Sequence, residues 1–269
     1  MDKLTIRQPE FTFPNDLPLT PDAGDKLYSA FLCTVSIIAP QIERYLVRTM
    51  SRAKQEIKDP NVLDDLLKFS QQEANHFRAH DELNELLRTK LSEENRKKLL
   101  SQEARLEEDY RYFSNTRSLN FNLSYAEGFE SATCAISIWG FKNNTMINID
   151  DRWKGIMEWH LTEEIEHRTV AYDIYHAFKG HYLHRIFFST YAQAHLFKYL
   201  FRFAQCFWNE LETHEKRKSV FRQYFWPLLG QYMSTLPPWY SPHRLVIDDR
   251  IHTILSKYYP IKSTITSTQ

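Results

Sequence analysis

Glycine is scarce in this chain, with six residues in 269, and proline is missing from the whole stretch between Pro60 and Pro227. Without the strongest helix breaker, the middle of the sequence favours long helices over a turn-rich β architecture. Cysteine is equally sparse. Cys33, Cys134 and Cys206 stand singly in apolar surroundings, with neither the density of a disulfide-stapled domain nor a Cys-x-x-Cys spacing. They read as buried, reduced packing residues of a cytoplasmic protein. Net charge is absent too: 34 basic residues face 34 acidic ones, so no overall field points to nucleic acid or an anionic membrane. Residues 1–19 lack the basic start and apolar core of a signal peptide. The most aromatic stretch, residues 184–208, is interrupted by Arg185, His195, Lys198 and Arg202, and falls short of the roughly 20 apolar residues of a membrane span. No transmembrane segment is expected, and no flavin or nicotinamide fingerprint is visible.

What the chain does have is long amphipathic periodicity. The pattern predicts an all-α protein of one domain over residues 1–269. Residues 1–20 read as an extended arm, 25–178 as a four-helix core with a crossover helix at 91–117, and 180–269 as covering helices with a proline and aromatic cap. Asp22 to Asp25 cap the first helix, whose apolar face runs from Leu27 to Met50. Within it Pro40 frees the carbonyl of Ser36 and is expected to kink the helix. Glu43 follows three residues on, and reads either as an inward residue or as a surface glutamate at the edge of the stripe. The second helix, about 61–88, carries Leu66, Phe69, Glu73, His76, Phe77, His80, Leu83 and Leu87 on one side. The crossover is charged, with a thin apolar seam and i,i+4 pairs as its support. The third core helix starts near Ser118 and bears Glu127 and Glu130 one turn apart. One of the two is expected inside, and Glu127 aligns better with Leu123, Cys134 and Ile138. Asp150 or Asp151 caps a fourth helix expected to run on to Phe178.

On that fourth helix His160, Glu164 and His167 fall within an arc of roughly 60° on an otherwise apolar face. Ionised carboxylates are seldom buried without a partner, and a metal ion is one such partner. Glu73-x-x-His76 and Glu164-x-x-His167 each lie on the inner face of a long helix, and each of those helices follows one with an inward Glu. The order Glu43, Glu73-x-x-His76, Glu127, Glu164-x-x-His167 matches the dinuclear carboxylate arrangement of a ferritin-like four-helix bundle. His80 reads as a residue holding another ligand from behind, a third ligand of its helix, or a core histidine. Glu163 lies off the stripe, so His167→Ala is expected to lose most of one metal ion and Glu163→Ala is not. A bland alternative to the whole site is a set of satisfied core histidines.

Phe69 to His76 (Phe-Ser-Gln-Gln-Glu-Ala-Asn-His) and Trp159 to Asp173 (Trp-His-Leu-Thr-Glu-Glu-Ile-Glu-His-Arg-Thr-Val-Ala-Tyr-Asp) resemble the patterns of the bacterial predicted metal-dependent hydrolases. The resemblance runs from the first helix to Pro237-Pro238-Trp239-Tyr240-Ser241-Pro242-His243. Where many relatives have Phe-Pro-x-Gly-Glu, this chain has Ile38-Ala39-Pro40-Gln41-Ile42-Glu43, which shifts the proline relative to Glu43. The spacing His160-x-x-x-Glu164-x-x-His167 is similar to the fourth-helix motif of the di-iron arylamine N-oxygenases. That resemblance implies the ligand set Glu43, Glu73, His76, Glu127, His160, Glu164 and His167; Glu130 and His80 are further candidates read from the helical stripes.

Such a ligand set suits two iron ions, with Mn/Fe, manganese or zinc as alternatives. The expected chemistry is O₂ activation and oxidation of a small apolar or aromatic substrate, with electrons from an external donor or the substrate itself. The competing readings are hydrolysis by a metal-activated water and a non-catalytic metal-binding or structural helical protein. The aromatic fifth helix is expected to cover the bundle and suits a homodimer interface. Glu210 to Arg222 reads as a solvated charged stretch, and a closing helix is expected from His243 to Tyr259.

Overall fold

The computed structural model describes residues 4–213 and 226–258 and is all-helical, with an isolated bridge between Asp22 and Ile149 in place of any sheet among the described residues. The helices are α1 (Lys26–Ala53), α2 (Pro60–Thr89), α3 (Glu93–Thr116), α4 (Leu119–Lys142), α5 (Asp151–His167), α6 (Val170–Ala177), α7 (Tyr182–Glu210), α8 (Trp226–Ser234) and α9 (Asp249–Ser256), with a 3₁₀ turn at Pro242–Arg244. Each of the first five starts on an oxygen that accepts backbone N–H groups otherwise left unpaired: Asp25, Asp59, Ser92, Ser118 and Asp150. Pro60 occupies the first turn of α2, where its missing N–H costs nothing.

α1 packs along α2, and α4 lies between α5 and α7. α3 is the long crossover. Leu99, Leu106, Tyr110 and Phe113 form its buried seam, and pairs Glu93–Lys97, Glu94–Lys98 and Glu107–Arg111 line its wet side. α1 is long and apolar enough to cross a membrane, but 72% of that stretch is buried inside the protein. The arm is laid over the bundle: Leu17 is buried, Trp153 donates Nε1–H to the Pro18 carbonyl at 3.0 Å, and Phe11 packs on Trp159.

Two expected helices differ. The fourth core helix stops at His167, and Thr169 starts the separate short helix α6 with no side-chain cap. Its continuing stripe, Ala171, Ile174 and Tyr175, is buried nonetheless. The closing helix begins at Asp249 rather than His243, since Asp248 supplies the cap that His243 cannot. Most of the charged stretch expected at Glu210 to Arg222, and Tyr259, lie outside the described residues.

Candidate metal centre

Glu43 of α1, Glu73 and His76 of α2, Glu130 of α4, and His160, Glu164 and His167 of α5 converge in the core, each at most 7% exposed. Their donor atoms form two trios, Glu43 with His76 and His160, and Glu73 with Glu164 and His167, each within 4.8 Å. Glu164 stands between them: its Oε1 lies 3.1 Å from His160 Nε2, 3.8 Å from His167 Nδ1 and 3.9 Å from His76 Nδ1. His167 Nδ1 also lies 2.9 Å from Glu73 and 3.7 Å from Glu130, and His160 Nε2 lies 3.3 Å from Glu43. Phe69 and Trp159 close the walls, the Phe69 ring set edgewise against His167 and the Trp159 ring edgewise against His76.

The sequence placed Glu127 in this set, and the structure puts it elsewhere. Its carboxylate turns to α7, where Arg185 Nε lies 2.9 Å away and Ser131 donates its hydroxyl at 2.8 Å. Glu130, one turn on, faces the cluster. Periodicity could not separate the two, because α4 is buried on nearly every face. Gly128 lies between them, with α7 so close that an added Cβ would sit 2.6 Å from the Ser189 Cβ.

Behind the histidines stand His80, which the apolar stripe singled out, and Glu163, Arg7 and Gln72, which it did not. Glu163, expected off the inner face, is fully buried, and its Oε2 accepts from His76 Nε2 at 2.9 Å. Arg7 reaches in from the arm to pair with Glu163 at 3.1 Å and Glu166 at 2.7 Å. Gln72 donates to the Thr5 carbonyl and to Glu166, so its Oε1 is the end that accepts from His167 Nε2 at 3.2 Å. His76 and His167 therefore carry their hydrogens on the outer nitrogens, which turns the lone pair of each Nδ1 inward. His80 sits behind His160, its Nε2 2.7 Å from His160 Nδ1. Glu163 and Gln72 do lie inside the two quoted motifs, but Arg7 is 156 residues from its partner and left no signal in the sequence.

Burial, with carboxylates close by, pushes Glu73 and Glu130 well above the usual carboxylate range. Glu43 is raised as well, chiefly by burial, even though His160 opposes the shift. Burial also works against an ionised Glu164, but the bond from His160 and the charges of His160, His167 and His76 outweigh it and hold this carboxyl low. Burial, then the neighbouring His160 and His167, keeps His76 well below the ordinary histidine range. Acidic oxygens that cannot all ionise together, facing imidazole lone pairs, make a site that a cation satisfies.

The sequence model of one protein family, described as predicted metal-dependent hydrolase, matches residues 5–252. The chain belongs to that family. This span takes in the arm's Arg7 and every residue of the cluster, and reaches His243, whose Nε2 lies 2.7 Å from Asp173. No match was found among curated proteins or among solved structures.

Proposed function

We propose that this metal-dependent hydrolase family member is a dinuclear metal enzyme, with Glu43, Glu73, His76, Glu130, His160, Glu164 and His167 as ligands. One observation carries the reading. Glu43 Oε2, both oxygens of Glu73, both of Glu130, Glu164 Oε2, His76 Nδ1 and His167 Nδ1 are buried and make no hydrogen bond. Buried polar atoms rarely go unsatisfied, and these converge on the two trios. Charge agrees: the carboxylates of Glu43, Glu73, Glu130 and Glu164, with neutral imidazoles, balance two divalent cations, and Arg7 answers Glu163 and Glu166 separately. Glu164 lies within reach of residues of both trios.

The ligand set and its burial in an aromatic core support two iron ions used to activate O₂ toward a small organic substrate. Such ions, when bound, supply redox chemistry that no side chain here offers. The protein's own part is to orient the ligand nitrogens through Glu163, Gln72 and His80, and to keep water out with Phe69 and Trp159. The second reading, hydrolysis by a metal-activated water, is the one the family's description supports. Arg7 and Arg185, the buried cations beside the cluster, are already held by carboxylates, so substrate charge would have to be met by the metals themselves.

Metal analysis of tag-free protein, paired with an optical spectrum as the anaerobically reduced sample meets O₂, tests this. Two irons per chain and a transient visible band are expected. Two zinc or manganese ions with no oxygen response would favour the hydrolase, and no stoichiometric metal would end the dinuclear reading.

A further inference from the structure

Pro40 has no amide hydrogen, so the Ser36 carbonyl loses the partner it would have within α1. Asn84 of α2 supplies one, donating Nδ2–H at 2.8 Å. A carbonyl only accepts, so this contact decides which end of the Asn84 amide is nitrogen and turns Oδ1 toward the Ser36 side chain. Ser36 donates its hydroxyl to that Oδ1 at 2.7 Å. With its hydrogen committed, Ser36 Oγ can only accept from His80 Nδ1, 2.9 Å away. Ser36, His80 and Asn84 are fully buried.

His80 has no acidic partner among the described residues, and its ring nitrogens meet Ser36 Oγ and His160 Nδ1. Its hydrogen is therefore on Nδ1, and its Nε2 presents a lone pair to His160 Nδ1 at 2.7 Å. His160 must carry a hydrogen on Nδ1 whatever its charge. The nitrogen left to give up a proton is Nε2, which faces Glu43 at 3.3 Å and Glu164 at 3.1 Å.

We propose that Pro40, Asn84, Ser36 and His80 form a relay that sets the tautomer of His160 and so presents its Nε2 to a metal ion. Asn84, Ser36 and His80 are positioning residues, and their purpose, though not the tautomer itself, rests on the dinuclear reading. A helix breaker in α1 thereby fixes a hydrogen on α5, through side chains of α1 and α2. The relay matches those behind His76 and His167 in outcome, but uses neutral partners where His76 uses a carboxylate.

The test is ¹⁵N NMR of the imidazole nitrogens in metal-free protein at alkaline pH, with Mn²⁺ titrations of the same samples, for wild type, Ser36→Ala and Ser36→Thr. The wild type should show His160 protonated on Nδ1. Ser36→Ala removes the acceptor of His80, which then can place its hydrogen on Nε2 and push that of His160 onto its own Nε2. A mixed or inverted His160 tautomer is expected, with affinity for one of the two ions falling about 10–100-fold. Ser36→Thr, which keeps the hydroxyl, should restore both. Wild-type tautomer and Mn²⁺ affinity in Ser36→Ala would overturn the relay and leave the dinuclear site standing. Correct tautomers in a protein that takes up no Mn²⁺ or iron would overturn the dinuclear reading, and with it the purpose assigned to the relay.

Discussion

Glu163 accepts from His76 Nε2 at 2.9 Å while Arg7 grips the opposite oxygen of the same carboxylate at 3.1 Å. The N-terminal arm thus reaches the ring of a candidate ligand through a single intermediary. Glu163→Ala and Arg7→Ala should each weaken metal binding about 10–100-fold while leaving two sites to fill at high metal. His167→Ala, by contrast, should drop the stoichiometry toward one ion. Metal titration followed by calorimetry separates an affinity loss from a site loss, and unchanged affinity in both Arg7→Ala and Glu163→Ala would remove the arm from the site.

Glu127 and Glu130, one turn apart on α4, should respond with opposite signs. Glu127→Ala strands Arg185 in a buried site beside Tyr172 and Tyr240, and breaking a buried ion pair costs about 3–5 kcal/mol. Glu130 is raised first by burial and then by Glu164, Glu73 and Glu43, so Glu130→Gln should leave the metal-free protein as stable or more stable, yet unable to bind two ions. Urea denaturation of metal-free samples gives the first comparison and metal analysis the second. Metal loss in Glu127→Ala with none in Glu130→Gln would restore the assignment made from the helical stripe.

His195 contributes to acid sensitivity. Its Nδ1 meets the Tyr125 hydroxyl at 3.0 Å and its Nε2 meets Asp109 at 3.0 Å. Burial lowers it below the ordinary histidine range despite Asp109. As pH falls through about 6.5 the unfolded chain takes up the proton first, so stability declines over the interval down to the folded value and is intact above it. His195→Gln, which cannot titrate, should lose less stability between neutral and mildly acidic pH than the wild type. Parallel losses in denaturation curves at the two pH values would contradict this.

Gly128 is a packing requirement. A Cβ there would meet the Ser189 backbone Cα at 2.7 Å as well as its side chain, and neither helix can give way locally. Gly128→Ala should cost roughly 1–3 kcal/mol by overpacking, even though alanine is the better helix former. A melting temperature equal to or above the wild type would show that α7 can shift.

Much of the scaffold was legible because its signals are local. Asp25, Asp59 and Ser118 sit directly ahead of apolar periodic runs, so caps and hydrophobic patterns agree on where helices begin. Glu73, His76, His160, Glu164 and His167 were visible for the same reason, since spacing of three and four residues fixes a shared face before any tertiary contact is known. Glu130 was not favoured, because a helix apolar on all sides carries no azimuthal information. Glu163 read as lying off the inner stripe, because the partners that bury it, Arg7 and His76, belong to other elements.

By itself, then, the sequence determined the all-α class, the order of the helices and the faces on which most candidate ligands lie, all of which depend on backbone geometry within a few turns. The tertiary structure decided which of two glutamates on α4 enters the cluster, that Arg7 completes the setting of His76, and that a proline in α1 bears on the tautomer of His160. Those outcomes depend on which polar atoms meet across helices once water is excluded, when each buried donor and acceptor must find its partner among the atoms that the fold brings within reach.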